Sequence, residues 1–341
     1  MIFVMAVNPR NPTHSRTTAR FAFALFVFTA AVLAGPASAC ELALAAVNGL
    51  DFPCPQPKET RAALITAQVL LDRAGFSPGA IDGRPGGNFV NALRAFQQQN
   101  GLDQSGQLDA PTWSKLTTSS AEPVMSEYII SAEDVRGPFV PEIPDDFEQQ
   151  AALKELAYTG PAELLAEKFH MDEELLRELN RDRMIDRAGT RIRVANVRRT
   201  PPKVQAVRLL VDKPRRFVRA FGRDGKLIGF FPASIGSEEK RAPTGTLKIT
   251  RVVQDPVYYY NPKFRFPGVS ARHRLKIAPG PNNPVGSVWM NLNERTYGIH
   301  GTAEPSKIGK TYSHGCVRLT NWDAKTLAAM VKKGTTVQFV E

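Results

Sequence analysis

Between residues 60 and 117 the apolar side chains recur at helical spacing. Ala63, Leu64, Ala67, Leu70 and Leu71 follow i, i+1, i+4, i+7, i+8 and predict one amphipathic helix. Gly75 closes it, and Ser77-Pro78-Gly79 and Asp82-Gly83 read as turns. Val90, Leu93, Ala95 and Phe96 form a second apolar face that ends at Asn100-Gly101. Asp109 caps a third, short helix holding Pro111 and Trp113. The pattern lapses over 118–154, where Pro123, Pro138, Pro141 and Pro144 stand among acidic residues and predict an extended linker. It returns over 155–198 as a short strand, two amphipathic helices and a closing strand. Leu164, Leu165, Phe169, Met171, Leu175, Leu176 and Leu179 are the expected core there, with His170 a packing residue.

From Val204 onward the period changes from helical to strand-like. Val207–Val211, Arg216–Phe221 and Leu227–Phe231 alternate or run apolar around the turn Gly222-Arg223-Asp224-Gly225. Thr246–Val253, Val288–Leu292 and Thr336–Val340 add strands, and Asp323–Lys332 is the single convincing helix. The expected fold is multidomain: a mainly-β domain over 204–341, sandwich- or barrel-like, after a small helical module and a βααβ module.

Composition narrows this only a little. With 341 residues, 43% hydrophobic and 23% charged, the chain is globular rather than disordered or fibrous. Charge is more informative. Residues 204–341 hold 23 basic and 9 acidic side chains, whereas 40–203 hold 18 and 24. The basic field therefore belongs to the β domain and favours polyanionic or carboxylate-rich partners. Nothing resembling a zinc-finger spacing, an RNP motif or a basic helix supports nucleic acid as that partner.

Residues 21–34 are uncharged and apolar, preceded by Arg10, Arg16 and Arg20 and followed by Ala37-Ser38-Ala39. This reads as a secretory signal peptide over 1–39, with an uncleaved anchor as the alternative. The run is short for a membrane span, and as the one long uncharged apolar run in the sequence it excludes a multi-span protein. Export to a periplasm or cell envelope is expected. Cleavage would leave Cys40 first, which resembles a lipoprotein site. A Cys40–Cys54 disulfide is the competing reading. Either way Cys316 is the odd thiol.

That thiol sits in the most distinctive text of the chain. Tyr297-Gly298-Ile299-His300-Gly301-Thr302 is followed by Ser313-His314-Gly315-Cys316-Val317-Arg318-Leu319. A thiol near pKa 8.5 is mostly protonated at neutral pH, and a neighbouring imidazole can take its proton for attack on a carbonyl. Gly301 and Gly315 permit close approach, and exposed backbone N–H groups would hold an oxyanion. Arg318, two residues after Cys316, shares its face on a strand and suits a carboxylate. A buried inert cysteine and a zinc site are the alternatives. No second Cys or nearby Asp/Glu stands at ligand spacing.

Three resemblances follow from these residues. AIDGRPGGNFVNALRAFQQQNGL with LDAPTW, over 60–117, resembles the peptidoglycan-binding domain 1 family. ELAYTGPAELLAEKFHMDEELLRELNRD with AGTRIRVANV resembles a LysM domain, which implies glycan binding. Ser313–Leu319 with His300-Gly301-Thr302 resembles the L,D-transpeptidase catalytic domain of the YkuD family. Ala242–Thr246 and Asn282–Gly286 support that last resemblance.

It implies Cys316 as nucleophile and His300 as proton donor and acceptor. Ser313, His314 and Gly315 would shape the nucleophile loop and oxyanion site. Arg318, with Gly301 and Thr302, would contact substrate. The resemblance implies no cofactor and no metal. The implied reaction is acyl transfer from a peptidoglycan tetrapeptide stem, with loss of D-Ala and formation of 3–3 cross-links. Carbapenems would acylate the same thiol. L,D-carboxypeptidase or endopeptidase activity, tethering of an outer-membrane lipoprotein as acyl acceptor, and a non-catalytic wall-binding role remain as alternatives.

Overall fold

The structure is a computed structural model that describes residues 60–197, 203–237, 240–263, 269, 271–313 and 315–341. The expected signal peptide, Cys40, Cys54 and His314 lie outside the described residues.

Helices α1 (Arg61–Arg73), α2 (Gly87–Gln99) and α3 (Ala110–Thr118) form the N-terminal module. Thr60 caps α1 through the N–H of Ala63, and Asp109 caps α3 through that of Thr112 at 2.9 Å. The expected single stripe of α1 is only part of its buried surface. Ala62, Ile65 and Val69 are buried as well, because the helix is enclosed on all sides.

Strand β1 (Met125–Ile129) and helix α4 (Phe147–Ala152) occupy the stretch expected to be a linker, and this corrects the 118–154 reading. Helices α5 (Pro161–Lys168) and α6 (Glu173–Leu179) follow, then strand β2 (Arg191–Ala195). β1 pairs antiparallel with β2, Met125 opposite Ala195, so the βααβ unit opens at 125 rather than 155. Asp134 locks the segment after β1. Its carboxylate accepts from the Tyr128 hydroxyl at 2.6 Å and from Nζ of Lys168, on α5, at 2.7 Å.

The β domain comprises β3 (Arg208–Asp212), β4 (Phe217–Phe221), β5 (Leu227–Pro232), β6 (Ser234–Ile235) and β7 (Gly245–Gln254). Then come β8 (Tyr258–Tyr260), β9 (Leu275–Ile277), β10 (Val288–Leu292), β11 (Gly298–His300) and β12 (Val317–Arg318). Helix α7 (Asn321–Met330) and β13 (Thr336–Val340) close the chain. Nine strands make one sheet in the order β5-β4-β3-β13-β7-β10-β11-β12-β6. Its two edge strands, β5 and β6, are consecutive in the chain and separated by Ala233 alone. The sheet must therefore curl until its edges nearly meet, which makes the domain barrel-like. Long strand β7 joins the halves, pairing with β13 over its first residues and with β10 over the rest.

Leu209, Val211, Ile249, Met290, Ile299, Val317 and Leu327 fill the enclosed core beneath α7. Phe217 and Phe230, although on β4 and β5, pack instead into the apolar cluster of the two N-terminal modules.

Candidate active site

β11 and β12 run parallel, with Ile299 opposite Val317 and His300 opposite Arg318. Alternation does the rest. Ile299 and Val317 point into the core, so Gly298, His300, Cys316 and Arg318 face the other way. That face opens on a groove of about 1650 Å³. Its floor continues across the sheet through Trp289 and Asn291 of β10 and Arg251 and Val253 of β7. Tyr258 and Tyr259 of β8, with Asp145 and Phe147 at the start of α4, form another wall.

Nδ1 of His300 donates to the carbonyl of Gly301 at 2.7 Å. A carbonyl only accepts, so this nitrogen carries the proton and Nε2 of the neutral ring holds a lone pair. The ring stacks on Trp289 with centroids 5.3 Å apart. The same indole covers Gly298, where a Cβ would stand 2.5 Å from it. Gly298 thus leaves room for the Trp289–His300 stack.

Cys316 is partly exposed, and its Sγ lies 3.7 Å from the carbonyl of Thr296. Burial pushes the thiol up to about 11, opposed by a backbone hydrogen bond from Gly298 and by the charge of Arg318. Burial, helped by Arg318, pushes His300 down to about 3, against hydrogen bonds to the Gly301 and Val285 backbones. The resting pair is therefore neutral, thiol and imidazole. Arg318 is held below the usual guanidinium range by burial, and its Nε has no hydrogen-bond partner among the described residues. It still carries its charge. With Lys240, Arg241 and Arg251 it makes the groove cationic; Asp145 is the one acidic side chain among the described lining residues.

The other expected site residues take different places. Oγ of Ser313 donates to the carbonyl of Cys316 and closes the turn that leads into Cys316. Gly315 adopts a φ of 106°, and a Cβ there would meet the Tyr297 ring at 2.9 Å. Gly301 and Thr302, expected to touch substrate, do not line the groove. Gly301 is wedged against Asn321, and the buried Thr302 hydroxyl accepts from the N–H of Glu304. Trp289 was not legible as a site residue, since an aromatic on an alternating strand reads as core. Tyr297 packs against the sheet core and also borders the groove. No group of three or more His, Cys, Asp or Glu side chains able to hold a metal ion occurs among the described residues.

Residues 206–339 match the L,D-transpeptidase catalytic domain (YkuD), and residues 60–116 match a peptidoglycan binding domain. Over 150 residues the chain is 31% identical to YkuD of Bacillus licheniformis, assigned as an L,D-transpeptidase, covering 44% of this chain and 74% of that one. The chain belongs to the YkuD family of L,D-transpeptidases. YbiS of Escherichia coli, assigned the same activity, is another relative of this L,D-transpeptidase family member: 29% identical, covering 54% of this chain and 61% of its own length. Among solved structures, an L,D-transpeptidase from Xylanimonas cellulosilytica aligns over 81% of this chain and 92% of its own, at 15% identity and a TM-score of 0.35. L,D-transpeptidase 3 of Mycobacterium tuberculosis aligns over 45% and 76%, at 16% identity and a TM-score of 0.34.

Proposed function

We infer that the chain is an exported enzyme that transfers acyl groups between peptidoglycan stem peptides, with Cys316 as nucleophile and His300 as its base. The observation that carries this reading is the shared face. Cys316, His300 and Arg318 open on one cationic groove, and the Gly301 carbonyl fixes which imidazole nitrogen is free.

The steps follow from that geometry. The guanidinium of Arg318 and its neighbours Arg241 and Lys240 take stem carboxylates. Cys316 Sγ attacks the carbonyl between the third residue and the terminal D-Ala, and its proton passes to Nε2 of His300. Backbone N–H groups of the turn at Gly315 hold the oxyanion. The C–N bond breaks, D-Ala leaves with the proton from His300, and a thioester remains. The side-chain amine of a second stem then attacks, gives a proton to His300, and expels the Cys316 thiolate, which regains it. A 3–3 cross-link results. A protein lysine as acceptor would tether an outer-membrane lipoprotein, and water would make the enzyme an L,D-carboxypeptidase. The helical module and the LysM-like βααβ unit would hold the chain on the wall.

The test is incubation with purified tetrapeptide muropeptides and mass analysis of the products. Released D-Ala with dimers supports transpeptidation. Tripeptide without dimer redirects the reading to hydrolysis. Neither product, or full activity in Cys316→Ala, rejects it.

A further inference from the structure

Beneath the groove lies a side chain that belongs to none of its strands. Asn321, the first residue of α7, is fully buried, and every hydrogen-bonding position of its amide is taken. Its Oδ1 accepts from the backbone N–H groups of Ser287 and Thr302, each at 3.1 Å. Its Nδ2 donates to the Pro281 carbonyl at 3.1 Å and to Oε1 of Glu167 at 2.8 Å. Two donors on one side and two acceptors on the other leave the amide a single orientation. There is no slack around Oδ1, because a Cβ on Gly286 or on Gly301 would stand 2.2 Å from it. Asn321 thus ties the backbone at Ser287 to that at Gly301–Thr302. The carbonyl of Gly301 is the one to which His300 donates.

Glu167 arrives from outside the β domain, on α5 of the βααβ unit. It is buried, and its second oxygen accepts from the Tyr158 hydroxyl at 3.2 Å. We propose that Glu167 is a positioning residue for His300, acting through Asn321 and the Gly301–Thr302 backbone. This rests on the reading of Cys316 and His300 as the reacting pair. Without an acceptor at position 167, one N–H of Asn321 is buried and unpaired. The amide then turns or retreats, the Gly301 carbonyl follows, and the imidazole loses its setting. A displacement near 1 Å at a reacting group costs about a hundredfold in rate. The transfer site is therefore complete only when the preceding module is docked.

The experiment uses the full chain and two variants. Glu167→Met fills the volume without an acceptor, and Glu167→Gln keeps one. Acylation of Cys316 by a carbapenem is followed by intact mass over a range of concentrations. The expected result is a maximal acylation rate at least about tenfold lower for Glu167→Met, with the half-saturating concentration little changed. Glu167→Gln stays within about threefold of wild type. A merely structural role would lower thermal stability without separating the two variants in rate. Wild-type rates in Glu167→Met overturn the proposal, as does a Gln variant as slow as the Met variant. Absence of acylation in wild type rejects the nucleophile reading instead, and the role of Glu167 with it. A further measurement does not need the Met variant to fold. Imidazole ¹⁵N shifts of wild type and Glu167→Gln should place the His300 proton on Nδ1 in both, and a proton on Nε2 overturns the link through Gly301.

Discussion

His300 and Cys316 are set far apart in proton affinity, about 3 against about 11, and burial is the first cause of both shifts. A raised thiol pKa means that the thiolate is scarce at pH 7 and grows with pH. Alkylation of Cys316 by iodoacetamide should therefore climb by about tenfold per pH unit between pH 7 and 9, because the thiolate is the reactive form. A rate already level between pH 6 and 8 would show a preformed ion pair and contradict this. Gly298 supplies a second check. A Cβ there would stand 2.5 Å from the Trp289 indole, so Gly298→Ala must displace the ring that stacks on His300. Acylation should fall by about a hundredfold in a chain that still folds; an unchanged rate would detach Trp289 from the site. Cys316, His300 and Arg318 were legible because their chemistry is written in neighbouring residues. Asn321 and Glu167 were not. An Asn at a helix start reads as a cap, and a Glu on an amphipathic helix reads as solvated, until tertiary packing joins them across 154 residues.

Helix α4 shows how an element escapes a reading by pattern. Six residues after a run of prolines carry too little periodicity to stand out, and β1 is short with half its side chains polar. Both exist because of what they meet. Phe147 packs edge-on against Tyr258 and Tyr260, with centroids 5.9 and 5.5 Å apart, so α4 supports the β8–β9 hairpin that walls the groove. Phe147→Ala should cost about 1–2 kcal/mol, as expected for a partly buried aromatic. Hydrogen exchange should rise in residues 256–263 and 271–277 more than elsewhere. Exchange unchanged in that hairpin would mean that α4 does not support it. The longer strands β3, β4, β7, β10 and β13 were readable from alternation. The two- and three-residue strands β6, β11 and β12 were not, since such short runs show no period.

At the scale of the molecule, the modules share buried chemistry rather than hanging on linkers. Nδ1 of His170 lies 2.9 Å from Asp72 and its ring stacks on Trp322, while Ser77 donates to Asp323 at 2.9 Å. His170 is a packing residue, as expected, but it packs between modules. Burial pushes both Glu167 and Asp323 up to about 7. A carboxyl whose pKa is raised by folding binds more protons folded than unfolded, so stability falls as pH rises between the unfolded value near 4 and the folded one. The midpoint of thermal unfolding should drop from pH 5 to pH 7.5, and Asp323→Asn should flatten the slope. A midpoint rising over that range would contradict the assignment. Charge asymmetry along the sequence pointed to the β domain, and the groove lined by Lys240, Arg241, Arg251 and Arg318 lies there. It said nothing of this interface, whose charged groups are few and buried.

The most direct measurement is the mass of the intact enzyme, quenched in acid during reaction with a tetrapeptide muropeptide. The expected result is an adduct equal to the donor less D-Ala, carried by Cys316 and missing from Cys316→Ala. An adduct that survives in the alanine variant, or turnover of the peptide with no cysteine-linked adduct at any time, would contradict the mechanism.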